Sequence, residues 1–541
     1  MSTSSILRGT LVLTAATFLS KILGMIYVIP FENLVGERGS ALFLYAYNPY
    51  NILLSISTVG LPLAVSKFVS KYNALGDFET GRRIFKAGII LMAITGFLAF
   101  LILFFSADFL ASRSIAEDST GNSVEDVTMV IRLVSFALII VPGMSIVRGF
   151  FQGYESMGPT AISQVVEQIV RIVFLLVSVF IILHLLKGSV ALAVGFATFA
   201  AFIGAIASCI VLFIYWKKRR VYLNRQLDQQ KKFNRIPIRV LFIELFRYAG
   251  PFVLVGIATP LYQLVDQFTF NRTMATIGLK DISEIAYASI NFLGHKLVII
   301  PVTIAIGLSL AMLPAITKSF TENKQKQMFL QMNQSFQIVI LFVLPAIVGL
   351  SLLSHEAYGA LYGLETIRVS GPLLAWYAPV ALFFALFTVS SSILQGINQQ
   401  QFAVISLSVG LMLKIFLNVP LIQTFGAKGA IFGTFLAVSS AVVLNLWRIK
   451  TSVSFPFKQL IKRSILIGIF TLMMSVAVLL AKYVLSFFFT YQDGRTESVI
   501  ILLVGVIVGA SVYFWFSYKS TLLEQILGGR IRKLDKILHR D

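Results

Sequence analysis

The chain has 541 residues, 57% of them hydrophobic and 13% charged, and its mean hydropathy of +0.85 excludes an ordinary water-soluble protein. Its net charge of +21 must therefore sit in loops, because charges are kept out of membrane spans and Lys and Arg gather on the cytoplasmic side. The single cysteine, Cys209, excludes an intrachain disulfide and a thiol metal cluster.

The N-terminal stretch through Phe31 has no small-residue cleavage site and stays apolar for a full span, so it reads as a retained first helix. At about 20 apolar residues per span, the chain holds about fourteen candidate helices. They are predicted near 8–30, 41–65, 85–106, 128–150, 160–184, 189–215, 243–268, 286–313, 335–354, 372–394, 402–422, 428–447, 464–488 and 498–518. The loops between them alternate in charge. Lys67, Lys71, Arg82, Arg83 and Lys86 fall on one side with Lys318, Lys324 and Lys326 and with Arg448, Lys450, Lys458, Lys462 and Arg463; Glu32, Glu37, Asp108, Glu117, Asp118, Glu125, Asp126, Glu356, Glu365, Asp493 and Glu497 fall on the other. The pattern predicts a multi-pass protein of the cytoplasmic membrane with both termini cytoplasmic.

The longest polar interruption, Trp216 to Arg239, carries nine basic residues against Asp228 alone. In so apolar a chain it reads as a cytoplasmic basic loop facing lipid headgroups rather than a nucleic-acid patch. It also marks a seam. Phe151-Gln152-Gly153-Tyr154, then Ser163 and Arg171-Ile172, align at constant offset with Leu394-Gln395-Gly396-Ile397, then Ser406 and Lys414-Ile415. Lys187-Gly188 resembles Lys428-Gly429, and Gly60-Leu61 with Ala64 resembles Gly307-Leu308 with Ala311. The predicted fold is an all-α polytopic membrane protein: two parallel six-helix lobes around a central cavity, plus two C-terminal helices. The expected divisions are an N-lobe at 1–215, the linker at 216–239, a C-lobe at 240–450, the added helices at 451–520 and a basic tail at 521–541.

Ionisable groups inside spans cost several kcal/mol unless a cavity or partner takes them, so each is a candidate functional residue. Lys21 lies deep in the first helix, and Lys296, beside His295, lies a few residues into the eighth. Glu167 and Arg171 share a face of the fifth helix, as a self-neutralising pair or as part of a substrate site. Lys414 occupies the repeat position of Arg171 with Gly410 where the acid would be, which makes it the better anion-site candidate. Asp266 in the seventh span and Asn418, one turn beyond Lys414, are candidates for an ion site. Pro49, Pro62, Pro142, Pro251, Pro260, Pro301, Pro345 and Pro379 interrupt spans and suit helices that move. The chain has no Gly-rich phosphate loop, and its four histidines lack metal-ligand spacing, so no enzyme, ATPase or metal cofactor is predicted. Transport would draw on an ion gradient, Na+ or H+, or on the membrane potential.

With this architecture, and with Gln-Gly ending the fourth and tenth spans, the chain resembles the multidrug/oligosaccharidyl-lipid/polysaccharide flippase superfamily. Ser20-Lys21-Ile22-Leu23-Gly24 resembles the first-helix motif of the MurJ-like lipid II flippases, the Gram-positive YtgP branch in particular. Lys296-Leu297, Pro301 and Leu313-Pro314-Ala315-Ile316-Thr317-Lys318-Ser319-Phe320 resemble their eighth-helix motif. The resemblance implies a flippase that moves an undecaprenyl-pyrophosphate-linked peptidoglycan precursor across the membrane by alternating access, working as a monomer. It also implies that cavity cations hold the pyrophosphate and that a groove involving the last two helices takes the lipid tail. Lys21 and Lys296 stand where the family usually has arginine, Tyr27 where a second first-helix arginine is common, and Leu54 and Ser55 where the second helix usually supplies one. Lysine's point charge does not reproduce arginine's bidentate fork, and Arg171 or Lys414 is the expected substitute. Asp266 and Asn418 match the family's sodium-site positions. The alternatives are a flippase for another lipid-linked oligosaccharide, a cation-coupled multidrug exporter, which the two helices after 460 oppose, and a non-transporting membrane scaffold.

Overall fold

The structure, a computed structural model, describes residues 3–58, 61–115, 121–228, 237 and 254–527, and among these there is helix and no strand. The helices are α1 (Thr3–Ile26), α2 (Val28–Thr58), α3 (Leu61–Ala74), α4 (Phe78–Phe105), α5 (Ala107–Ser114), α6 (Val124–Ser135), α7 (Ala137–Gly153), α8 (Met157–Phe180) and α9 (Val190–Asp228). Then come α10 (Ala258–Thr276), α11 (Ser283–Ala288), α12 (Gly294–Thr321), α13 (Gln325–Leu352), α14 (Ser354–Tyr362), α15 (Ile367–Tyr377) and α16 (Val380–Gly396). The chain closes with α17 (Gln400–Phe425), α18 (Ala427–Val453), α19 (Lys458–Leu485), α20 (Arg495–Lys519) and α21 (Leu522–Leu527).

Twelve segments among the described residues are long and apolar enough to cross a membrane. One of them, Ala15–Thr58, covers the first two predicted spans. The predicted seventh span begins outside the described residues and is represented by α10. The other predicted spans each have a counterpart, so the chain is an all-α multi-pass membrane protein. Pro251 and Gly60 of the sequence analysis lie outside the described residues.

Helix extends into two stretches that the charge pattern marks as loop. Residues 61–74 form α3 because Val65, Phe68, Val69 and Tyr72 fall on one face and are buried against Phe85, Ile146 and Phe150. Asp77 then caps α4, its side chain accepting from Thr80 N at 3.0 Å. The sixth span likewise runs past Trp216 to Asp228. Leu223 is buried in the same cluster, Trp216 stacks on Phe85 at 5.1 Å, and Arg82 donates to Asn224 at 2.9 Å. The first half of the basic linker is thus a docked helix: one apolar side chain per two turns suffices to hold it, and that is too sparse to register as a span.

The internal repeat is repeated in backbone conformation. After the first Gln-Gly, Glu155 adopts a left-handed φ of 56°, and Glu155 N and Ser156 N bond to Gln152 O and Phe151 O at 2.8 and 3.0 Å. After the second, Asn398 has φ 58°, and Asn398 N and Gln399 N bond to Gln395 O and Leu394 O at 3.2 and 2.7 Å. These are the same helix-ending turn. A second matched pair joins α3 to α4 and α12 to α13: Gly76 and Asn323 are left-handed, and Asp77 N and Lys324 N reach back to Tyr72 O and Ser319 O, each at 2.9 Å. Gly and Asn tolerate that conformation, Glu less readily. Both Gln-Gly glycines also meet close neighbours: a Cβ on Gly153 would lie 2.8 Å from Ser66 O, and one on Gly396 2.9 Å from Ile316.

By its internal contacts the chain forms two compact units, Met1–Arg272 and Thr273–Asp541. The division falls within α10, after the basic linker, because the residues up to Arg272 bond within the first unit. Gln267 donates to Tyr45 O and Ser114 Oγ at 3.0 and 2.9 Å, and Asn271 donates to the Tyr45 hydroxyl at 2.6 Å.

In the second unit α19 and α20 pack on α13 through Leu341, Ile467, Phe470, Met474, Val478 and Tyr513. At one end of this cluster the fully buried Glu356 of α14 meets Lys482 Nζ at 2.8 Å, an approach off the hydrogen-bonding line that makes the contact ionic. Arg495 donates to Ala360 O and Leu361 O at 2.9 and 2.8 Å. His355 packs against Tyr491, and burial holds it below the usual imidazole range. Removing one partner of a buried pair costs about 3–5 kcal/mol. Lys482→Met should therefore lower the melting temperature in detergent, and Glu356→Gln/Lys482→Met should recover most of the loss; a double variant as unstable as the single would show that the pair does not fasten the added helices.

Candidate cation sites and an apolar groove

In the first unit the predicted cations lie where α1, α2 and α8 meet. Thr17 donates to Gln164 at 3.2 Å, and Gly24 lets α1 approach so closely that a Cβ there would stand 3.1 Å from Gln168 Nε2. Lys21 lies between these contacts and is exposed. On α8, Gln164, Gln168 and Arg171 are spaced one and two turns apart, hence on one face. Arg171 donates to the Tyr47 hydroxyl, and its guanidinium carbon lies 5.0 Å from the Tyr47 ring centroid. Tyr47 stacks on Phe43 at 4.5 Å and meets Tyr50 edge-on at 5.3 Å, and Phe43 in turn meets Phe31, so α2 presents an aromatic ladder to a single guanidinium. Tyr27, the residue at a position where arginine is common, is buried next to that ladder.

Glu167 does not pair with Arg171. It bonds to Arg148 of α7, Nη2 to Oε2 at 2.6 Å. Arg148, which the sequence pattern does not single out, lies in a segment of apolar and small residues four positions before the Gln-Gly motif. Ser163 and Ser208 complete its cradle, accepting at 3.0 and 2.8 Å.

In the second unit Lys296, at the start of α12, is half-buried, with Nζ 5.8 Å from the Phe292 ring centroid. His295 shares its Nδ1 with the Tyr377 hydroxyl at 2.8 Å. Lys414 is fully buried between α17 and α18 and donates to Ala430 O and Thr434 Oγ1, both at 2.8 Å. Asn418 is buried one turn further on, where the missing Cβ of Gly433 admits it. Asp266 is buried in the first unit and Asn418 in the second. Among the described residues, no three His, Cys, Asp or Glu side chains are grouped to hold a metal ion.

The residue after Lys296 begins an apolar groove. Leu297, Ile300 and Pro301 of α12 face Phe342, Pro345 and Gly349 of α13 and Val478, Val506 and Tyr513 of the added pair across about 390 Å³. Its walls are almost wholly hydrocarbon, and a Cβ on Gly349 meets nothing within 4 Å.

Residues 6–320 match the family model described as polysaccharide biosynthesis protein. The lipid II flippase MurJ of Bacillus subtilis (strain 168) is 46% identical over 531 residues, 98% of each chain. The chain belongs to the MurJ-like lipid II flippase family. Its solved structural neighbours agree in fold: a lipid II flippase MurJ in an inward closed conformation has a TM-score of 0.61 at 17% identity, covering 96% of this chain and 99% of that one. An inward-facing multidrug resistance MATE family transporter has a TM-score of 0.63 at 14% identity, covering 79% and 94%. Membership in this family makes the chain a transporter rather than an enzyme.

The three lysines differ in how far the protein buries them. In a Cys209→Ser background, Lys21→Cys should react quickly with a small aqueous maleimide, Lys296→Cys more slowly, and Lys414→Cys only after denaturation. Equal rates at 21 and 414 in the folded protein would contradict the placement of Lys414.

Proposed function

We propose that the protein moves undecaprenyl-pyrophosphate-linked peptidoglycan precursor, lipid II, from the inner to the outer leaflet of the cytoplasmic membrane by alternating access. The observation that carries the reading is the adjacency on α12: Lys296, a cation suited to a pyrophosphate, is followed immediately by the apolar groove that begins at Leu297. A lipid-linked pyrophosphate has the same order of parts, a dianionic head next to a long hydrocarbon. The similarity to the Bacillus subtilis flippase supports the choice of glycan.

Lys21, Arg171 and Lys296 are the proposed pyrophosphate contacts. Tyr47 is neutral and holds the Arg171 guanidinium without cancelling it, so that charge remains available to an anion. Lys414, bonded within its own helix pair, is proposed to add positive potential without touching the substrate. A protein working as a monomer with both termini cytoplasmic, and with Asp266 and Asn418 serving Na+ or H+ coupling, completes the proposal.

Complementation of a strain depleted of its own lipid II flippase tests the reading. The wild-type chain should restore growth, Lys296→Ala should not, and Gly349→Trp, which fills the groove from a position with open space, should fail while reaching the membrane in normal amount. A well-expressed wild type that fails to complement would contradict the substrate assignment, and a fully active Gly349→Trp would remove the groove from the mechanism.

A further inference from the structure

Glu167 and Arg171 stand one turn apart on α8, a spacing at which a carboxylate and a guanidinium ordinarily close on one another. Here they part. Arg148 reaches across from α7 and takes Glu167 Oε2 at 2.6 Å, while Arg171 turns to Tyr47. Arg148 is fixed for this: its Nε donates to Ser163 at 3.0 Å, its Nη2 to Ser208 at 2.8 Å, and its own carbonyl accepts from Thr160 at 3.3 Å. Ser208 can reach it because α9 lies close to α8 at Gly204, where a Cβ would stand 2.8 Å from Glu167 O and 3.0 Å from Arg171 Cβ. The side chains of Arg148 and Glu167 are only 17% and 21% exposed, so water does little to screen the attraction.

The internal repeat isolates what the pair is for. The alignment that carries Phe151 to Leu394 carries Ser163 to Ser406 and Arg171 to Lys414, but Arg148 to Ser391 and Glu167 to Gly410. Acid and base are present together in one half and absent together in the other. In the second half Ser391 joins a neutral network, accepting from Asn445 at 3.1 Å. A lone Glu167 would neutralise the cation one turn away, and a lone Arg148 would be a buried charge without a partner.

We propose that Arg148 is a positioning residue for transport: by holding Glu167 it keeps the Arg171 guanidinium uncancelled and turned toward Tyr47, where a pyrophosphate can bind it. The inference rests on the reading of Arg171 as a pyrophosphate contact, and the experiment separates the two.

Purified protein in lipid nanodiscs is titrated calorimetrically with farnesyl pyrophosphate, a water-soluble prenyl pyrophosphate, and both Kd and the number of sites are read. Arg148→Gln should weaken binding about tenfold with the number of sites unchanged, because the freed carboxylate competes with the ligand for Arg171. Arg148→Gln/Glu167→Gln should return to within about threefold of wild type, and Glu167→Gln alone should bind more tightly than wild type. A purely structural pair gives a different result: sites are lost in proportion to unfolded protein and Kd is unchanged on the remainder. That outcome, or a double variant as weak as Arg148→Gln, overturns the inference. If Arg148→Gln does not fold, Arg148→Lys is read in the same way, with about threefold weakening expected and recovery on adding Glu167→Gln. Wild type that does not bind, or Arg171→Ala that binds as wild type does, overturns the site reading and the inference with it.

Discussion

A cation inside hydrocarbon has to be held by something, and the choice of holder decides what the cation can do. Two kinds of holder occur in this protein. Lys414 donates to a carbonyl and a hydroxyl of its own helix pair, and Arg148 is held by a carboxylate and two serines; both are engaged within the structure. Arg171 turns to an aromatic side chain instead. A ring or a phenol stabilises a positive charge by its quadrupole or its oxygen dipole and leaves the net charge intact. That position keeps an attraction for an anion.

The repeat shows how that arrangement arose within one architecture. Two helix-ending turns are the same in both halves, down to the left-handed residue after each Gln-Gly, while the charges inside differ. The first half holds an extra ion pair and an aromatic ladder; the second holds a neutral Asn and Ser network and a groove completed by the two added helices. Such division of labour suits a substrate with unlike ends. The backbone is conserved between halves because the glycines and turns that set helix spacing tolerate few side chains, whereas interior polar groups are free to change so long as they change in balanced sets.

Much of this was legible in the sequence, because a lipid-spanning helix must satisfy its backbone internally and so writes itself as an apolar run of fixed length. The spans, the repeat and the candidate cations at 21, 171, 296 and 414 are legible by that logic. The helical stretches outside those apolar runs are not: α3 and the end of α9 depend on a few buried side chains such as Phe68, Tyr72 and Leu223, whose partners lie far away in the chain. The pairing of Glu167 was unreadable for a related reason. Its i, i+4 neighbour Arg171 offered a sufficient local explanation, and the competing partner came from another helix. One signal for it was present: the step through the repeat that turns Glu167 into Gly410 also turns Arg148 into Ser391, and a balanced loss of acid and base points to an ion pair.

Arg171, held by Tyr47, and the apolar groove that begins after Lys296 are each proposed to serve the passage of a prenyl pyrophosphate through the membrane. Translocation of a fluorescent lipid II in sealed proteoliposomes, followed by the fraction open to an impermeant quencher, measures it most directly. The wild-type chain should bring a quencher-protected fraction into exposure, and Arg171→Gln/Lys296→Gln, correctly folded, should leave the distribution of protein-free vesicles. Movement by the double variant at the wild-type rate would contradict that proposal.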